Sequence, residues 1–187
     1  MAAFTSEKID IEPWFDMELF LGVSQETRLG GDVMERFMEQ WKKWLPHLTV
    51  KGIDTGKIKY LLVALDESVE QDVDKAWDTS PSNAFLYNAL AQTMCMAAVH
   101  GVIPEIEDAG CAPAPKPTAA LREALEAEGI PYTNDKDPIL SRRYAVVTHY
   151  PFKGGCEICV LQSNCPKGQG QMEAASVVLP GYERPQL

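Results

Sequence analysis

The sequence predicts a mainly α fold, with α+β as the alternative: a helical body over residues 1–130 and a small cysteine-bearing β or irregular module over 131–187, either as two units or as one integrated domain. Three observations predict it. Apolar residues recur at three- and four-residue spacing through the first two thirds of the chain. Helix caps stand where those patterns begin and end. Glycine and cysteine then crowd together behind residue 153. The 187 residues are 45% hydrophobic and 24% charged, which is enough for a proper core without metal or disulfide staples.

Residues 1–31 form an arm that mixes acids with Trp14, Phe15, Leu19 and Phe20, aromatic contacts suited to packing against the body. Asp32 reads as an N-cap, with Glu35 three residues later. Val33, Met34, Phe37, Met38, Trp41, Trp44 and Leu45 make one helical face, stopped by Pro46. The run KIKYLLVAL at 57–65 fits a strand and the opening of a helix equally well. From Asp66 to Trp77 the pattern is helical, with Val69, Val73 and Trp77 inward and the acids outward. Ser80 or Ser82 caps the next helix, about 83–100, closed by Gly101 and apolar almost all round.

A proline-rich loop carrying Cys111 follows, too stiff to join a helix. Thr118 caps a short helix that runs through Glu128 and ends at Gly129. Residues 143–149 alternate and are rich in β-branched side chains, which predicts a strand, and 175–179 are expected to pair with it. Between them lies the motif GGCEICVLQSNCPKG, with two residues separating Cys156 from Cys159 and five separating Cys159 from Cys165. Three thiols in ten residues, in a chain otherwise poor in cysteine, point to a metal centre. Gly154, Gly155 and Gly168 would let backbone amides approach the sulfurs.

This stretch resembles the iron–sulfur loops of helix-hairpin-helix DNA glycosylases, whose last three cysteines match Cys156, Cys159 and Cys165 while the first falls on His149. It is also similar to the C-terminal triplet of RecB-type nucleases, in which a distant upstream cysteine joins; here that would be Cys111. The resemblance implies a [4Fe–4S] cluster on Cys156, Cys159 and Cys165, with Cys111 or His149 as the fourth ligand. It covers the cluster loop, and the catalytic signature of neither family is present. The expectation is a cytoplasmic iron–sulfur protein: an electron-transfer, redox-sensing or accessory component with a protein partner. The alternative is a zinc-stabilised interaction module, since the same ligands suit tetrahedral zinc. An enzyme with one open iron ranks last.

The formal net charge of −10 repels phosphate, so nucleic acid and anionic membrane are disfavoured as partners. Arg142, Arg143, Lys153 and Lys167 nevertheless flank the triplet. The N-terminus lacks a signal-peptide pattern and no apolar run reaches the ~20 residues of a membrane span. Cys111-Ala-Pro-Ala followed by a helix has the outline of a glutaredoxin segment, but the second cysteine is missing. Cys95 reads as a core residue, His100 as a partner for helix-end carbonyls, His47 as a loop residue, and Glu105, Glu107 and Asp108 as a solvated acidic loop. No phosphate loop, dinucleotide fingerprint or nucleophile–base motif is present.

Overall fold

The computed structural model describes residues 4–27, 29–134 and 138–165. Along the chain these form β1 (Thr5–Lys8), α1 (Met17–Ser24), α2 (Gly31–Trp44), β2 (Leu48–Asp54) and β3 (Lys59–Leu65). There follow α3 (Glu67–Thr79), α4 (Pro81–Val102), α5 (Glu105–Ala109), α6 (Ala119–Ala127) and β4 (Ala145–His149). The strands make one antiparallel sheet in the order β1-β2-β3-β4. The fold is therefore mixed α and β, and the mainly α expectation is corrected. The strands are also not confined to a C-terminal module, because β1, β2 and β3 all precede residue 66.

β3 explains why the sheet was hard to read. Leu61, Val63 and Leu65 face a core built from Phe20, Phe37, Trp41, Trp44, Val69, Val73 and the body of α4. Tyr60, Leu62 and Ala64 face a second core with Leu121, Ala124 and Leu125 of α6. A strand buried on both faces has no polar side, so its sequence is an unbroken apolar run rather than an alternation. β1 fails in the opposite way: TSEK is exposed throughout and carries no hydrophobic signal.

The helices follow their local signals more closely. Ser80 accepts from the Asn83 amide to cap α4, Asp66 caps α3 through Ser68, and Thr118 caps α6 through Leu121. α4 packs against both neighbouring helices and the sheet, with Ala84, Ala89, Ala91, Ala97 and Ala98 all buried. Such small side chains let neighbours approach an apolar helix closely. α2 starts at Gly31 with Gly30 at its cap and no side-chain cap bond, which places Asp32 inside the first turn. There its charge still favours the positive helix end.

Two further expectations change. Trp77 does not point inward: it is 40% exposed and meets Phe85, 64% exposed, edge to face at 4.7 Å. In the arm, Phe15 and Phe20 pack on Trp41 and Phe37, whereas Trp14 stays exposed. Three of the acids of α3 stitch it to its neighbours. Asp72 binds Lys43 and Trp44 of α2, while Glu70 and Asp74 hold Arg142 and Arg143. No helix among the described residues is long and apolar enough to cross a membrane.

Candidate metal centre

The site begins where β4 ends. Tyr150 and Phe152 pack against the main core and fix the entrance to the cysteine loop. Gly154 then adopts φ +142°, a conformation that L side chains rarely take up, and an added Cβ would run into the Glu157 carboxylate. Gly155 donates its amide to Glu157 Oε1 at 2.9 Å. That amide thus serves a carboxylate rather than a sulfur, contrary to the role expected for these glycines; Gly168 lies outside the described residues. Gly154→Ala should strain the loop by about 1–3 kcal/mol. Hydrogen exchange should then quicken at the Cys159 and Cys165 amides while the sheet amides keep their protection. Unchanged exchange in the loop would contradict the strain.

Two 3₁₀ turns follow, Cys156–Ile158 and Gln162–Asn164. Cys159 N–H donates to Cys156 O at 3.2 Å and Cys165 N–H to Gln162 O at 3.3 Å. Cys159 and Cys165 therefore occupy the same place, each in extended backbone at the exit of a 3₁₀ turn, with φ, ψ of −77°, 126° and −100°, 125°. This internal echo is invisible as a sequence repeat, because CEIC and QSNC share only the final residue.

The segment carrying Cys111 lies against this loop. α5 closes at Gly110, which takes φ +69°, and the chain runs on through Pro113 and Pro115, both buried. The Thr148 hydroxyl of β4, fully buried, donates to Pro113 O at 2.9 Å. Ala114 N–H donates to Cys159 Sγ at 3.4 Å, and Val160 N–H returns a bond to Ala114 O at 3.0 Å. The structure thus brings the Cys111 arm and the triplet together across 45 residues of sequence.

His149 is placed differently. Side chains alternate along a strand, and Val146 joins the main core whereas Ala145 and Val147 join the core under α6. His149 falls in the second set. Its ring lies 5.5 Å from that of Tyr60, and its Nδ1 is buried without a hydrogen-bond partner. Burial, aided by the charge of Lys153, lowers its pKa. Thr148 and the Cys111 arm are on the opposite side of β4.

Among the described residues, no three Cys, His, Asp or Glu side chains converge tightly enough to hold a metal ion. No disulfide joins the cysteines, and Cys111, Cys156, Cys159 and Cys165 are all partly exposed. Cys95 stands apart in the core, its thiol donating to Tyr144 O and pushed up by burial to about 12. Arg142 and Arg143, expected beside the triplet, are engaged by α3, and Lys167 lies outside the described residues.

One polar cluster escaped sequence reasoning. His47 Nδ1 lies 2.7 Å from Asp66 Oδ2 and 3.2 Å from Ser68 Oγ, 19 and 21 residues away. The residue types match a hydrolytic triad, but both partners meet the same ring nitrogen. A relay needs the acid on one nitrogen and the hydroxyl on the other. The cluster closes the N-terminus of α3. The only sequence signal for it was the Asp-x-Ser cap, which names two of its three members. No protein-family model, curated protein or solved structure matches this chain.

Proposed function

We propose that this chain is an iron–sulfur protein in which Cys111 joins Cys156, Cys159 and Cys165 as the fourth thiolate, acting in electron transfer or redox sensing beside a protein partner. The observation that carries the reading is the pair of hydrogen bonds joining Ala114 to Cys159 and Val160, which holds the Cys111 arm on the triplet loop. Cys111 is three residues from Ala114, whereas His149 presents its ring to the other face of β4.

Cys111, Cys156, Cys159 and Cys165 are all partly exposed, and none belongs to the packed core. Thiolates suit iron–sulfur clusters, and an amide directed at a ligating sulfur is among the features that set a cluster's potential. A loop of reduced thiols also suits a reducing compartment such as the cytoplasm.

The test is iron, zinc and acid-labile sulfide content of anaerobically purified protein, with its visible spectrum, for the native chain and two variants. The native chain should carry about four irons and four sulfides. Cys111→Ser should lose most of that content, and His149→Gln should retain it. The reverse pattern would move the fourth ligand to His149. Stoichiometric zinc without sulfide would replace the reading with a zinc-stapled interaction module.

A further inference from the structure

We infer that the Ala114 peptide is a positioning group for the proposed centre: its N–H fixes the Cys159 sulfur and withdraws electron density from it, while its carbonyl holds the following residue. The inference rests on the metal-binding reading for its redox consequence, and on the hydrogen bonds alone for its structural one. Between α5 and α6, residues 110–118, the arm has no helix to hold it, yet it is fixed in three ways. Pro113 and Pro115 are buried, the Thr148 hydroxyl binds the Pro113 carbonyl, and Ala114 bonds the loop through both its N–H and its C=O.

The alternation of proline and alanine gives this arrangement its chemistry. In Cys-Ala-Pro-Ala-Pro-Lys-Pro, positions 113, 115 and 117 cannot donate, so the amides near the middle of the arm belong to Ala112, Ala114 and Lys116. Proline also favours an extended backbone in the residue before it, and an extended residue turns its N–H and C=O to the same side, here toward the cysteine loop. The arm therefore presents a single fixed donor to Cys159, the middle cysteine of the triplet. Hydrogen bonds to ligating sulfur stabilise the more negative, reduced state of a cluster and raise its potential.

Two measurements separate the parts of the inference. In metal-free protein, Cys159→Ala removes the acceptor, and exchange of the Ala114 amide should accelerate roughly five- to tenfold; an unchanged rate overturns the latch. In cluster-loaded protein, Ala114→Pro removes the N–H and keeps the carbonyl that receives Val160, while Ala114→Gly keeps both. Ala114→Pro should shift the potential to a more negative value and shed iron to a chelator roughly tenfold faster, with Ala114→Gly at the native potential. Equal potentials in all three overturn the tuning role. If the native chain takes up no cluster, the metal-binding reading and its redox consequence both fall, and the exchange measurement still decides the latch. If Ala114→Pro fails to fold, the Cys159→Ala exchange still decides the latch, and an Ala114 amide whose exchange in the native chain does not slow on cluster loading overturns the tuning role.

Discussion

Trp44→Ala is expected to lower the free energy of unfolding by about 3–5 kcal/mol, among the largest effects of any single truncation in this chain. Trp44 is fully buried at the end of α2, with Tyr87 of α4 edge-on at 5.9 Å. It also carries a polar task. Its indole N–H donates to Asp72 Oδ2 at 3.0 Å, and the same oxygen accepts from Lys43 Nζ at 2.6 Å. Burial pulls the Asp72 pKa upward, but the bonds from Lys43 and Trp44 outweigh it and hold the carboxyl below the usual range. Alanine would open a cavity and remove one of the donors that keep this carboxylate charged. Trp44→Phe should lose less, because most of the ring volume stays and mainly the hydrogen bond is forfeited, about 1–3 kcal/mol. Urea unfolding of both variants checks the order. A Trp44→Ala protein as stable as the native one would place the ring outside the core.

Val63→Asp is expected to prevent stable folding. Val63 lies inside β3, fully buried, in register between Val50 of β2 and Val146 of β4. A carboxylate there forfeits about 1.5–3 kcal/mol of apolar burial. It also leaves an unpaired charge in the sheet, at a further several kcal/mol. The sum approaches the whole stability of an ordinary domain, about 5–15 kcal/mol. Far-UV circular dichroism and soluble yield should both collapse, while Val63→Ile should fold. A soluble Val63→Asp protein that unfolds cooperatively would be incompatible with β3 as an interior strand.

The difference between what could and could not be read from the residues is one of range. A cap is a conversation between neighbours: Thr118 reaches Leu121 and Ser80 reaches Asn83, so α4 and α6 announce their own beginnings. The sheet depends on partners far along the chain. Leu62 reads the same whether Val147 or a helix lies beside it, and only pairing across 85 residues makes it a strand. The cysteine spacing was legible because thiols are rare and crowded at 156–165. The arm was not. Ala114 holds Cys159 with its backbone, and an amide leaves no mark on residue identity. Spacing and an imidazole's taste for metal brought His149 forward, but neither shows where its ring lies, which the parity of β4 sets beside Tyr60.

The position of β4 in the chain has a consequence in time. Its partner β3 ends at Leu65, and β4 begins at Ala145, 80 residues later (145 − 65). At about 5–20 residues per second, a ribosome takes roughly 4–16 s to cover that distance. Throughout it, one edge of β3, the most apolar of the described strands, waits with its peptide groups unanswered, the kind of edge that recruits other chains. α3, α4 and α6 emerge in the interval and can shelter both faces of β3, but not its edge. The support for the Cys111 arm, the Thr148 hydroxyl, arrives only with β4 itself. Synthesis therefore orders events: the arm emerges unsupported, the sheet closes on β4, and the arm meets the cysteine loop only after that.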